Sequence, residues 1–326
     1  MPDSAAPARG PHAAVVCNPA KLDPARLTPL VAAREHALKW APTRWFTTLA
    51  ADSGQAAARA ALESRPSVVL VAGGDGTTRA VAQEAAGTGV PLAIIPVGSA
   101  NVLARNLGLP RFSLDDAVQT AFAGRDHAVD VAMAELEGSD GATCRRSFLV
   151  MAGIGLDADI IAGTSPRAKR RLGWLAYAAT SLPKLLGSRA FPARILVDGR
   201  AGVDLAAHTV AICNCGTLPG GVRLLPGARI DDGRLDLLVL SPRGPLGWVP
   251  IARRFFIDHR VSTRRDAGPA AELLPGGRAR IQHLVCTAVT IQTDRPRACE
   301  LDGEAFERIV RISAHIEPKA LVVRVP

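Results

Sequence analysis

The sequence predicts a two-domain protein. An α/β N-terminal domain with a parallel sheet and Gly-rich phosphate loops is followed by an antiparallel β-sandwich C-terminal domain. Three observations predict it. From Ala13 to Val129, strand-like and helix-like segments alternate, the pattern of a parallel sheet with helices on both faces. An apolar run, Ser67-Val-Val-Leu-Val71, empties into Gly73-Gly-Asp-Gly-Thr77. From Asp130 on, short apolar runs are punctuated by hairpin-type dipeptides, Asp198-Gly199, Asp232-Gly233 and Asp302-Gly303.

The elements follow in order. Ala13-Ala-Val-Val-Cys17 is a strand running into Asn18-Pro19. Asp23-Pro24 opens a helix, with Asp as N-cap and Pro at the first helical position. Trp45–Leu49 is the second strand, and Asp52 or Ser53 opens an Ala-rich helix to about Glu63. Val68–Val71 is the third strand; after the Gly loop a helix runs from Thr78 to Ala86 and stops at Gly87. Pro91–Ile95 is the fourth strand, followed by the polar loop Pro96-Val-Gly-Ser-Ala-Asn101. A helix from Val102 to Leu107 ends at Gly108, and Ser113-Leu-Asp-Asp116 is a capping box for a last helix closed by Gly124.

In the second half the expected strands are 129–136, 147–151, 193–197, 208–213, 235–240, 288–293 and 309–316. Its main helices are expected near 166–187 and 245–258. Ala320–Val325 is a strand that returns to the first domain. The expected division is a disordered tail at 1–12, an α/β domain at 13–129 joined by 319–326, and a β-sandwich domain at 130–318.

Composition narrows the function. The chain has 326 residues, 48% hydrophobic and 21% charged, as in a soluble globular protein. A net charge of +9 and a pI near 9.9 favour anionic partners. Aromatic content of 4% with a single Tyr argues against a nucleic-acid partner, because single strands are held on stacking platforms. There is no long apolar run for a membrane span and no signal-peptide pattern at Met1–His12. The six cysteines are scattered, consistent with free thiols in a reducing cytoplasm. The seven histidines show no ligand spacing.

The chemistry gathers at two loops that follow strands, the edge where open α/β sheets bind ligands. In Gly73–Thr77 the glycines let backbone N–H groups crowd around an anion, and the following helix points its N-terminus there. Asp75 sets a carboxylate inside that arrangement, which suggests phosphate chemistry with a metal ion. Gly98, Ser99 and Asn101 form the second loop, and Asn18-Pro19 is similarly positioned. Far along the chain, Asp302-Gly303-Glu304 offers a carboxylate pair or an ordinary hairpin turn.

The ordered set Asn18-Pro19, Thr47-Thr48, Gly-Gly-Asp-Gly-Thr at 73–77, Pro-Val-Gly-Ser-Ala-Asn at 96–101, Val129-Asp130-Val131, Gly-Ile-Gly-Leu-Asp at 153–157, Asp231-Asp-Gly233 and Asp-Gly-Glu at 302–304 resembles the diacylglycerol kinase catalytic-domain family. That family includes bacterial soluble lipid kinases and sphingosine kinases. The resemblance covers nearly the whole chain. It implies an ATP- and Mg²⁺-dependent lipid kinase of phospholipid biosynthesis, with diacylglycerol as the default acceptor. Asn18, Pro19, Thr47, Gly73, Gly74, Asp75, Gly76, Thr77, Gly98, Ser99 and Asn101 would form the nucleotide site. Asp302 and Glu304 would supply the general base and its partner, in either order, while Asp75, Asp130 and Glu304 would serve the metal.

The chain departs from the family pattern at several positions. Val102 stands where Asp usually follows Asn101, Ala80 where Glu is common, and Ser99 and Ala100 where Thr and Gly are usual. Arg229 stands where an acidic residue supports a structural metal near Asp232, which weakens that site. Alternative readings are a sphingoid-base or other lipid kinase, an NAD kinase, and a catalytically weak nucleotide- or lipid-binding protein. The basic-aromatic stretch 167–177 and Arg253-Arg254-Phe-Phe256 suit an anionic membrane surface or ordinary helix packing. The expectation is a cytoplasmic protein in peripheral association with membranes, with a homodimer among its allowed states.

Overall fold

The computed structural model describes residues 10–49, 54–98, 100–109, 113–155, 190–217, 225, 227–242, 247–249, 251 and 281–326. It divides into two compact units, residues 1–129 with 320–326, and residues 130–319.

In the first unit β1 (His12–Cys17) pairs in parallel with β2 (Ala41–Thr47) on one side and β3 (Val68–Gly73) on the other. β3 pairs in parallel with β4 (Leu92–Pro96), and β4 with the end of β14 (Glu304–Val325) through Leu92 and Val323. Every residue of β1 and β3 is buried, as expected of strands covered on both faces. Ala13, Val15, Val68, Leu70, Ala93 and Ile95 pack with Leu27 and Val31 of α1 (Pro24–Leu38) and Val118 and Phe122 of α5 (Leu114–Ala123). α2 (Gln55–Glu63) packs against β1, and α3 (Asp75–Ala85) against β3 and α2.

Local chemistry sets the helix ends. Asp23 caps α1 by accepting from Ala25 N at 2.9 Å, with a proline in the first turn. Ser113 caps α5 by accepting from Asp116 N at 3.1 Å. Three boundaries differ from expectation. β2 starts at Ala41, because Ala41 N donates to Pro11 O and extends the pairing with β1. α2 starts after Gly54, whose φ of 105° admits no side-chain cap; Asp52 and Ser53 lie outside the described residues. α3 starts at Asp75, so Asp75-Gly-Thr77 is helix rather than loop.

The second unit is antiparallel. Its strands run β12 (Ile281–Cys286), β11 (Leu235–Leu240), β10 (Thr209–Cys213), β7 (Met151–Gly155), β13 (Ala288–Leu301), β14. β8 (Phe191–Val197) also pairs with β13 and with β9 (Val203–Ala207), while β5 (Arg125–Gly138) pairs with β6 (Thr143–Phe148). Phe148, Ile154, Phe191, Ile195, Ile212 and Leu237 fill one continuous core.

The chain runs as one strand from Glu304 to Val325, where separate strands at 309–316 and 320–325 are expected. Pro318 does not end it, because Lys319 takes a φ of 52° and sends its N–H to Asp130 Oδ1 at 2.7 Å. The helix expected at 166–187 lies outside the described residues. Of that expected at 245–258, Trp248, Val249 and Ile251 are helical and most of the rest lies outside them. Among the described residues no helix is long and apolar enough to cross a membrane.

Candidate active site

In the first unit β3 delivers the chain to the first turn of α3. A Cβ at Gly73 would lie 2.6 Å from Thr77 Cβ, so Gly73 and the buried Thr77 close the floor. A Cβ at Gly98 would lie 2.7 Å from Gly74 Cα, so the two glycine-bearing segments press backbone to backbone. Gly74 and Gly76 face open space: the nearest atom to a Cβ is 3.9 Å away at Gly74, and none lies within 4 Å at Gly76. The result is a cradle of bare backbone at the N-terminus of an eleven-residue helix, where partial positive charge favours an anion.

Asp75 joins the two segments. Its Oδ2 accepts from Asn101 N at 3.0 Å and its Oδ1 from Val102 N at 2.6 Å. These are leading N–H groups of α4 (Val102–Asn106), so Asp75 caps that short helix from 26 positions away. Burial raises the Asp75 pKa; the N–H donors and the charge of Arg105 oppose it. Asn101 holds a φ of 46° and turns its side chain onto its own loop. Its Oδ1 accepts from Gly98 N, and its Nδ2 donates to Pro96 O and Gly98 O. Expected in the nucleotide site, Asn101 here shapes the loop. Ser99 lies outside the described residues.

Asn18 N donates to Ala72 O, its Oδ1 accepts from Ala20 N, and its Nδ2 has no partner among the described residues. Pro19 and Thr47 are exposed at the same strand ends. Sequence reasoning missed Lys21 and Arg26, which line a cavity of about 250 Å³ with Leu22, Pro96, Val97, Ser113 and Leu114. The only signal for them is basic charge just after Asn18-Pro19.

In the second unit Asp302 sits in a tight turn at a φ of 48°. Its Oδ2 accepts from Leu149 N at 2.7 Å, and its Oδ1 from Val150 N at 2.9 Å and Met151 N at 3.0 Å. Buried Asn214, which no motif marked, donates to Leu149 O and Asp130 O beneath it. Buried Glu300 accepts from Gly303 N at 2.7 Å. Glu304 is exposed at the start of β14. Asp302 and Glu304 thus share one turn, the first fixed by backbone donors and the second facing solvent.

Asp130, expected to serve the metal, is fully buried. Its Oδ1 accepts from Lys319 N and its Oδ2 from Gly233 N at 2.6 Å, a structural bracket. Arg229 forms a two-pronged ion pair with Asp231 beside Asp232. Among the described residues no three His, Cys, Asp or Glu side chains gather as a ready-made metal cluster.

An anion cradle at the strand ends of the parallel α/β unit and a carboxylate turn in the antiparallel unit are each parts that phosphoryl transfer can use. Residues 12–134 match the model of the diacylglycerol kinase catalytic domain, and 150–250 that of the YegS C-terminal NAD kinase beta sandwich-like domain. A Pseudomonas aeruginosa (strain PAO1) protein named as a YegS-like lipid kinase is 32% identical over 271 residues, 82% of this chain and 79% of that one. A Mycobacterium tuberculosis (strain H37Rv) diacylglycerol kinase is 25% identical over 245 residues, 75% of each chain. The crystal structure of a candidate diacylglycerol kinase from Bacillus anthracis str. Sterne shares the fold, with a TM-score of 0.72 at 21% identity over 100% of this chain and 98% of its own. The chain belongs to the diacylglycerol kinase family of lipid kinases.

Proposed function

We propose that this kinase moves the γ-phosphate of ATP to a lipid hydroxyl, with diacylglycerol as acceptor and phosphatidic acid as product. The open backbone cradle at Gly74 and Gly76, on the N-terminus of α3, carries the reading. It suits a chain of phosphates, whose place a side chain there would take. The Asn18 amide and the Thr47 hydroxyl reach the nucleotide from neighbouring strand ends. Lys21 and Arg26 add positive charge beside them. Gly98, Ser99 and the Asn101-shaped loop form the facing wall, with Thr77 packed beneath.

Bound Mg²⁺ would neutralise the phosphate oxygens. The donor set fits a cation held mostly by the nucleotide with one or two carboxylates, as Mg²⁺ commonly is. Asp75 in the first unit and Glu304 in the second would be the carboxylates offered to it, and Asp130 is left to its structural bracket. Glu304 takes the proton of the lipid hydroxyl as the alkoxide oxygen bonds to the γ-phosphorus and the bond to the β-phosphate oxygen breaks, releasing ADP. Exposed Glu304 suits that role better than Asp302, whose oxygens already accept three backbone N–H groups. Asp302 is a positioning residue that fixes the turn. Diacylglycerol is preferred because relatives from two genera carry that activity in their names. Turnover takes place on the cytoplasmic surface of an anionic membrane.

The test is radiolabelled transfer from ATP to a panel of diacylglycerol, sphingosine, ceramide and NAD. Phosphatidic acid is the expected product, lost on Mg²⁺ chelation. Glu304→Ala should lower turnover at least about a hundredfold, the scale of a lost general base, with ATP affinity kept within about tenfold. Labelling of NAD alone would replace the reading with NAD kinase.

A further inference from the structure

We propose that Asn214 is a positioning residue for the transfer step: its amide aligns the backbone donors that fix the Asp302 turn and so sets the place of Glu304. The inference rests on the lipid-kinase reading. Asp302 holds a φ of 48°, a conformation that a non-glycine residue keeps where its surroundings hold it. Residues 149–151 do the holding. Their three N–H groups donate to the Asp302 carboxylate, and Met151 O accepts from Asp302 N at 2.9 Å.

Leu149 and Val150 lie between β6 and β7, outside both strands. Their peptide planes are set from the carbonyl side, by the two residues that follow β10. Asn214 Nδ2 donates to Leu149 O at 3.1 Å, and Asn214 N to Val150 O at 2.8 Å. A peptide unit is planar, so a bond on one carbonyl aims the N–H of the next residue. Asn214 thereby aims Val150 N–H and Met151 N–H, the two donors on Asp302 Oδ1. Cys215 adds its N–H to Val150 O and its thiol, a weak donor, to Leu149 O.

Asn214 Nδ2 also donates to Asp130 O at 3.2 Å. Asp130 is a fixed post. Its N–H donates to Ile230 O, and its carboxylate accepts from Gly233 N and Lys319 N. Asn214 therefore ties the segment that grips Asp302 to the best-anchored residue near it. A primary amide carries two N–H groups and can serve both carbonyls at once; an ionised carboxylate of the same shape offers acceptors alone. Asn214, Leu149 and Asp130 are all buried, so water does not take over the lost bonds.

The experiment sets wild type beside Asn214→Asp, which keeps the shape but turns an acceptor toward two carbonyl oxygens. Asn214→Ala carries the test if the first variant does not fold. Ser241→Ala is the control: it removes another buried side-chain donor of the same unit, the hydroxyl on Ala206 O at 2.7 Å. With ATP and vesicle-borne diacylglycerol, kcat should fall roughly tenfold to a hundredfold in the Asn214 variants, as a misplacement of about 1 Å can cause. KM for ATP should stay within about twofold, since the loss belongs to the transition state. Ser241→Ala should leave kcat unchanged. Adding Asn214→Asp to Asp302→Asn should cost no more than about twofold beyond Asp302→Asn alone, because both act through one turn. Hydrogen exchange at Val150 and Met151 should quicken in the Asn214 variants and not in the control. Normal kcat in the Asn214 variants overturns the proposal, as does an equal loss in the control or full multiplication of the two losses in the double variant. No lipid product from wild type, with exchange at Val150 and Met151 still quickened by the variants, would sink the kinase reading and leave the hold on the turn standing.

Discussion

Asp75 shows how one carboxylate serves shape and chemistry together. It caps α4 through Asn101 N and Val102 N, and it sits in the first turn of the helix that bears the cradle. Asp75→Asn replaces one acceptor oxygen with an NH₂ group that faces a backbone N–H. Stability should fall by about 1–3 kcal/mol, the cost of an unmet buried donor. Turnover should fall at least about a hundredfold, the scale of a lost electrostatic group. Near-normal turnover would remove Asp75 from the chemistry and leave only the cap. The pH dependence has a definite sign. Because burial raises the Asp75 pKa in the fold, its contribution is fully present below the ordinary value of 3.8 and is lost as pH rises through the folded value. Urea unfolding across mildly acid pH should therefore show wild type losing stability relative to Asp75→Asn as pH rises. The sequence made Asp75, Asp130, Asn101 and Asp302 legible through their motifs. Their partners were not: Asp302 meets Leu149 N from 153 positions away, and a backbone N–H has no residue type to betray it.

Elements were legible where side chains set their ends and illegible where backbone did. Asp23 and Ser113 were readable caps, since their oxygens bond the first helical N–H groups. Gly54 was not, because it enters α2 through its own φ with no side-chain bond. The start of β2 was hidden by Pro42, a strand breaker in most places but tolerated at an edge. The two glycine segments allow a paired test. Gly98→Ala drives a methyl into Gly74 Cα and Asn101 Oδ1, contacts that cannot yield without backbone movement. It should lower thermal stability, by about 1–3 kcal/mol if overpacking is the cause. Gly76→Ala meets nothing within 4 Å and should leave stability within about 0.5 kcal/mol. It should nevertheless weaken ATP binding, because the methyl stands in the cradle. Equal affinity in Gly76→Ala and wild type by calorimetry would mean that phosphates lie elsewhere.

At the scale of the whole molecule the connectivity stands out. The chain passes from the first unit to the second within β5 and comes back within β14. Asp130 and Lys319, the first and last residues of the second unit, are hydrogen-bonded to each other. Ala320–Pro326 brings buried Leu321, Val323 and Val325 to the first unit beside β4. A variant ending at Lys319 should lose several kcal/mol of apolar burial there, at about 1.5–3 kcal/mol per side chain. Hydrogen exchange should speed up in β3 and β4 while β10 and β11 keep their protection; uniform protection in both would contradict it. A class-level division into parallel and antiparallel parts was readable from the spacing of apolar runs. The unbroken length of β14 was not, since Pro318 reads as a stop until Asp130 is seen holding the next residue. The same connectivity sets an order of events at the ribosome. The first unit begins synthesis before the second, yet its sheet lacks the strand beside β4 until residues 320–326 leave the exit tunnel. The cradle would therefore mature last, after the antiparallel unit has emerged complete. Nascent chains stalled before residue 320 has emerged should resist protease in the second unit and remain sensitive in the first.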